Sequence, residues 1–378
     1  MAPEGDERIN GEAAPPSPSG FIGAGSNPHR PRPGGRAIVY VGLAGLVLAA
    51  AVGFVATRGG GGGSAHPPRG TTAVSPPVAG PGDRPGQAGP ELAPARGALF
   101  GAFVARDPTP GSSLVAAYQA FESRLGRRLD IVQSYYPFET PFPTDLERTV
   151  LDAGQIPLIS WNGTDTAAVV SGSQDALIAQ RADAVKALGK PILLRWFWEM
   201  DGNRKAHFVD SPGGYIAAWR HIRDVFRRHG ATNAAFVWCP DGFAFDNGRA
   251  QLFYPGDDSV DWVCADGYDM TPVGTAASRL KTFQQAFAGF YAFGQQHDKP
   301  MMVGEFGETE RPDDQRAKWL ADARDVLKTR FPAIRAVVYW EAIDRRTNYD
   351  ARVSSSPSSL AALRAIALDP WFRVRPSS

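Results

Sequence analysis

The chain has 378 residues, with 40 Lys and Arg against 39 Asp and Glu for a formal net charge of +1. That balance argues against a nucleic-acid-binding protein, which would carry a basic excess, while 43% apolar and 11% aromatic residues exclude a wholly disordered chain. Two cysteines, Cys239 and Cys264, with no C-x-x-C pair, exclude a disulfide-dense scaffold and give no sign of structural zinc.

Residues 1–36 hold 7 Gly and 7 Pro, and 18 of the 39 residues from 58 to 96 are Gly or Pro. Neither segment can bury enough apolar surface to offset chain entropy, so both are expected to be disordered, the second as a linker. Between them, Ala37 to Thr57 runs for 21 residues without a charge or a proline. At ~1.5 Å per helical residue, 37–57 is long enough to span the ~30 Å bilayer core as one transmembrane helix. Arg30, Arg32 and Arg36 precede it and only Arg58 closely follows, so the positive-inside bias puts 1–36 in the cytoplasm and the remainder outside. A cleaved signal peptide is the rival reading. The leader is long for one, and Phe54 would fall at the third position before a cut after Ala56, where a small residue is expected.

From residue 97 to 372 the pattern is regular. Apolar, β-rich runs at Ala98–Val104, Leu129–Tyr135, Ile156–Trp161, Pro191–Trp198, Ala234–Cys239, Asp261–Asp266, Pro300–Glu305 and Arg335–Trp340 predict eight strands. Helices are predicted near Ser113–Leu125, Asp145–Ala153, Asp175–Leu188, Gly213–Arg228, Ala277–His297, Asp314–Arg330 and Ser358–Ala367, with a short one at Asn247–Phe253. Eight strand–helix units of this size predict an α/β fold, a (β/α)8 TIM barrel. The alternative, a doubly wound open sheet, lacks a G-x-G-x-x-G after the first strand.

Active sites of such barrels lie at the C-terminal strand ends, and here those ends carry carboxylates and rings. No H-E-x-x-H is present, and of six histidines only His207 falls in a strand-end loop, so neither a metal nor a cofactor is expected. Glu199 ends the fourth strand and Glu305 the seventh, each directly after an apolar run, where an acidic residue is costly without partners or a task. Arg195 lies four residues before Glu199 on the same strand face, placed to position a carboxylate or hydroxyl. Trp161, Trp196, Trp198, Trp238 and Trp340 cluster at or near strand ends, either as flat platforms for pyranose rings or as packing between barrel and helices. Paired carboxylates with such rings suit glycoside hydrolysis of a polysaccharide. Asp241, Asp266, Asp269 and Glu341 compete with the two glutamates on spacing alone.

These residues resemble glycoside hydrolase family 26, the family of β-mannanases and related endo-glycanases. Its acid/base motif R-x-x-H-E-M-N-G is matched by Arg195 and by Glu199-Met200-Asp201-Gly202, and its nucleophile motif is echoed in Gly304-Glu305-Phe306-Gly307. Tyr254 to Asp257, Val260 to Val263 and Asp266-Gly267-Tyr268 echo its sixth-strand segment. The resemblance implies a retaining hydrolase of β-linked polysaccharide, with β-1,4-mannan the family default. It implies Glu199 as general acid/base, Glu305 as nucleophile, a hydrogen bond from Tyr268 to the nucleophile, and Trp340 under the reacting sugar. Trp198 stands where the family has His, and Asp201 replaces its Asn, so fold and mechanism carry over better than substrate. Two other readings are a barrel that binds polysaccharide without cleaving it, and a membrane-tethered partner in polysaccharide assembly. Cys239 and Cys264 fall on neighbouring strands; a disulfide is open to them, and two buried thiols is the plainer expectation. Asn162-Gly163-Thr164 fits a glycosylation sequon, but its place at the barrel mouth reads as a sugar-contacting turn.

Overall fold

The structure, a computed structural model, describes residues 89–106, 112–202, 207–271, 280–345, 347 and 349–376. The expected membrane span at 37–57 and its flanks lie outside these residues, and among the described residues no helix is long and apolar enough to cross a membrane.

Eight parallel strands close into one barrel in sequence order: β1 Leu99–Val104, β2 Ile131–Tyr136, β3 Ile156–Trp161, β4 Ile192–Trp196, β5 Ala234–Trp238, β6 Trp262–Asp269, β7 Met301–Glu308 and β8 Ile334–Glu341. Pairing of β1 with β8, Leu99 opposite Ala336 through Val104 opposite Glu341, closes the ring. The helices are α1 Leu114–Leu125, α2 Asp145–Asp152, α3 Thr166–Val170, α4 Asp175–Ala187, α5 Pro212–Arg228, α6 Phe283–Gly294, α7 Gln315–Thr329 and α8 Pro357–Leu368. Their starts are chemical: Ser211 caps α5 and Ser356 caps α8, each followed by proline at the first position, while Thr144 and Glu147 form a capping box on α2. The short helix expected at Asn247–Phe253 is a 3₁₀ turn over Ala250–Phe253.

Strand period sorts the apolar side chains into two layers. Leu158, Leu193, Ala235, Val237, Trp262, Met302 and Val338 fill the barrel, and their sequence neighbours Ile159, Leu194, Phe236, Val263, Val303 and Val337 pack under the helices. Residues 89–96, expected to belong to the linker, instead pack at the N-terminal strand ends. Gly89 N–H donates to Asp261 Oδ1 at 2.9 Å, and Leu92 is buried in the inner layer, with Val374 packed against the same layer. A third apolar cluster, Phe103, Tyr268, Trp340, Ala342, Tyr349 and Ala351, sits at the C-terminal ends of β1, β6 and β8.

Candidate active site

The same alternation decides which strand-end residues face the barrel. In β4, Leu193 and Arg195 point inward while Leu194 and Trp196 point outward. Trp161 and Trp238 share the outward parity and are fully buried in the outer layer. The Trp161 ring stacks on Phe138 at 4.8 Å and its Nε1 donates to Phe138 O, while Trp238 packs edge-on against Phe245 and Tyr254. The sequence reading offered both as sugar platforms; the structure puts them in the packing layer, because one residue of strand parity turns a side chain to the opposite face.

Trp198 escapes that parity. β4 ends at Trp196, two residues earlier than expected, and Phe197 and Glu199 both take left-handed backbone, with φ of 48° and 50°. Non-glycine residues in this region are uncommon, and the turn is held by Phe197 N–H to Trp161 O at 2.9 Å and Glu199 N–H to Cys239 O at 2.8 Å. The consequence is that Trp198 packs with the inner layer, its ring 5.0 Å from the Arg195 guanidinium and 5.2 Å from the Tyr135 ring. Gly163 leaves room for this turn, since a Cβ there would overlap the Phe197 ring. The Asn162-Gly163-Thr164 turn, expected to touch sugar, therefore seats Phe197. Glu199 itself is buried.

Glu305 reaches the interior by a bulge. It lies inside β7 rather than at its end, and the β6–β7 register slips so that Ala265 faces Val303 but Asp266 faces Glu305. The extra residue is Gly304, and such a bulge re-aims the next side chain. There Glu305 Oε1 accepts from Arg195 Nη2, from the Tyr135 hydroxyl at 2.6 Å and from Gln133 Nε2 at 3.4 Å. Its Oε2 accepts from the Tyr268 hydroxyl. Arg195, fully buried, also donates Nη1 to both oxygens of Asp266 (2.9 and 3.0 Å) and Nε to Ser160 Oγ at 3.0 Å. Burial opposes the charge of Arg195, but Asp266 and Glu305 outweigh it and push its pKa up, so the guanidinium is held charged between two carboxylates. Burial, and then the charge of Glu305, raise the phenols of Tyr135 and Tyr268 well above their ordinary value, so both remain donors.

Below this cluster Cys239 and Cys264 form a disulfide between β5 and β6, which corrects the expectation of two thiols. Asp266 lies within reach of both sulfurs, but cross-linked sulfurs are not thiolate ligands, so the trio holds no metal as it stands. Of the other competing carboxylates, Glu341 accepts the backbone N–H groups of Val353 and Ser354, and Asp269 accepts that of Thr271. Asp241 donates its backbone N–H to Asp201 Oδ1 at 3.1 Å, tying the turn after Glu199 to β5. Trp340 stands at the mouth within the third cluster, 5.9 Å from Tyr268 and 6.2 Å from Tyr349 by ring centroids. Sequence reasoning missed Gln133, Tyr135 and Ser160. The position of Tyr135 at the end of the predicted second strand was the available signal.

A closed (β/α)8 barrel with Arg195 buried between Asp266 and Glu305, and the Tyr135 and Tyr268 hydroxyls on Glu305, is an arrangement able to hold a nucleophilic carboxylate at the barrel mouth. Residues 156–319 match the model of glycosyl hydrolase family 26. Endoglucanase H of Acetivibrio thermocellus is 32% identical over 279 residues, covering 71% of this chain and 30% of that protein. The β-1,3-xylanase TXYA of a Vibrio species is 27% identical over 153 residues, 39% of this chain and 30% of that protein. The chain thus spans about 30% of the length of these curated relatives. Among solved structures, the catalytic domain of a GH26 endo-β-1,4-mannanase from Bacillus sp. JAMB-750 superposes with a TM-score of 0.56 at 18% identity, covering 78% of this chain and 98% of that one. A GH26 β-mannanase from Bacteroides ovatus gives 0.54 at 18% identity, covering 73% and 90%. Those two likenesses speak to the fold.

Proposed function

We propose that the protein is a retaining endo-β-glycosidase that cleaves β-linked polysaccharide by double displacement, with Glu305 as nucleophile and Glu199 as general acid/base. One observation carries this reading: a carboxylate turned into the barrel mouth by a bulge and gripped by Arg195, Tyr135 and Tyr268, with a second buried glutamate, Glu199, on the turn after β4. In the first step a carboxylate oxygen of Glu305 attacks the anomeric carbon as Glu199 protonates the leaving oxygen. In the second, water deprotonated by Glu199 attacks the same carbon and frees Glu305. Arg195 and the two phenols hold the carboxylate aimed between steps.

For the substrate, β-glucan is the first candidate. The relative with the longest matched stretch reported above carries the name endoglucanase, and the family's His and Asn are replaced by Trp198 and Asp201. β-1,4-Mannan is the second, favoured by the fold neighbours. Incubating the full chain with β-glucan, mannan and xylan and measuring reducing ends separates them. Release must vanish in Glu305→Ala, and the first-formed product must keep the β anomer. An inverted product, or no release from any of the three, would refute the assignment.

We place this barrel outside the cytoplasm on a tether, residues 37–57 in the membrane. The uncharged run with arginines on one side supports this, and so does a disulfide, which persists in oxidising compartments. Deleting residues 1–57 should release the protein from membrane fractions; a full chain already soluble would end the proposal.

A further inference from the structure

The barrel furnishes the two oxygens of Glu305 unequally. Oε1 takes Arg195 Nη2 and the Tyr135 hydroxyl at 2.6 Å, with Gln133 Nε2 more distant at 3.4 Å, whereas the one donor on Oε2 among the described residues is Tyr268. A carboxylate oxygen has about two lone-pair sites, so Oε1 is filled and Oε2 keeps one for chemistry.

The geometry points to Oε2 as the atom that attacks the anomeric carbon, and to Tyr135 as the positioning residue that selects it by occupying Oε1. This rests on the retaining mechanism proposed above. When Oε2 bonds to carbon, the glycosidic C–O bond breaks and the leaving oxygen takes the proton of Glu199. Oε1 becomes the carbonyl oxygen of the glycosyl ester, still bonded to Tyr135 and Arg195. When water attacks, the C–Oε2 bond breaks, its electron pair returns to the carboxylate, and the water's proton passes to Glu199. Tyr135 and Arg195 then stabilise the departing charge. A donor on Oε1 thus makes Glu305 a slightly weaker nucleophile in the first step and a better leaving group in the second.

Trp198 makes Tyr135 dependable in this role. The Tyr135 ring is wedged edge-on against Phe103 at 4.6 Å and tilted on Trp198 at 5.2 Å. An imidazole at position 198 would offer the Tyr135 hydroxyl a competing acceptor; an indole offers none. Tyr135 is also only partly buried, unlike Tyr268.

The test compares wild type and Tyr135→Phe on dinitrophenyl β-cellobioside and dinitrophenyl β-mannobioside, whose leaving group needs little protonation, so that ester hydrolysis limits turnover. Losing one hydrogen bond to a charged group should lower kcat about 10- to 100-fold. KM should fall with it, and intact-protein mass spectra taken after excess substrate is removed should show the glycosyl adduct on Glu305 lasting about 10- to 100-fold longer than in wild type. A kcat within twofold of wild type, or a fall in kcat without a longer-lived adduct, would overturn the assignment. If wild type hydrolyses neither glycoside nor any polysaccharide, the glycosidase reading itself fails, and the two failures are told apart by the wild-type rate.

Discussion

Replacing Gly304 by alanine adds one methyl at the bulge that turns Glu305 inward. An ideal Cβ there would lie 2.4 Å from Cys264 Sγ, 2.7 Å from Asp266 Oδ1 and 2.9 Å from Cys239 Sγ, against ordinary contacts of 3.4–4 Å. The sulfurs are cross-linked between β5 and β6, and Asp266 is pinned by Arg195, so none of the three can swing aside. The strand carrying the methyl must therefore retreat by roughly 1 Å, an overpacking that costs about 1–3 kcal/mol. The same displacement pulls Glu305 out of hydrogen-bond range of Tyr135, and a shift of ~1 Å at reacting atoms costs on the order of 10²-fold in rate. Urea unfolding and kcat on the best polysaccharide measure the two effects. A cycle with Cys239→Ala/Cys264→Ala, which removes the nearest obstacles, should show coupling of at least ~0.5 kcal/mol. A Gly304→Ala protein with wild-type stability and turnover would refute the claim that the bulge has no room for a side chain and sets the position of Glu305.

Arg195→Met leaves Asp266 and Glu305 facing each other without their cation; a broken buried pair costs about 3–5 kcal/mol, a loss that urea unfolding measures. Burial and then Asp241 raise the Asp201 carboxyl to about 6. A carboxyl whose folded value lies above its unfolded one stabilises the fold at low pH, and that contribution is lost as pH rises from about 4 through 6, in total roughly 3 kcal/mol. Asp201→Asn should lack this decline, matching wild type near pH 4 and melting higher at pH 7; an unchanged slope of Tm with pH would contradict it. The Cys239–Cys264 link closes a loop of sequence separation 25, so the double alanine variant should lose roughly 3–4 kcal/mol in denaturant titrations, and a reducing agent should lower the wild-type Tm.

Much of this fold was legible in the chain itself, because eight apolar runs alternating with helical periods leave few topologies. The candidate glutamates were legible for a related reason: an acidic residue closing an apolar strand has few cheap explanations. The indoles were misread for want of parity. Once Arg195 is taken as inward, Trp196 must face outward, and equal counting on β3 and β5 sends Trp161 and Trp238 the same way. Counting alone would still have misplaced Trp198 and Glu305, because left-handed backbone at Phe197 and a bulge at Gly304 break the period at those two points. Neither departure is written in local propensity; each is imposed by strands distant in sequence. The same holds for Tyr135, whose partner lies 170 residues away.

Gly89 and Leu92 arrive, and Val374 departs, at the pole of the barrel opposite the carboxylates. The described chain thus begins and ends on the underside of the barrel, so a tag joined directly at residue 89 or residue 376 should leave the carboxylate-bearing rim unobstructed.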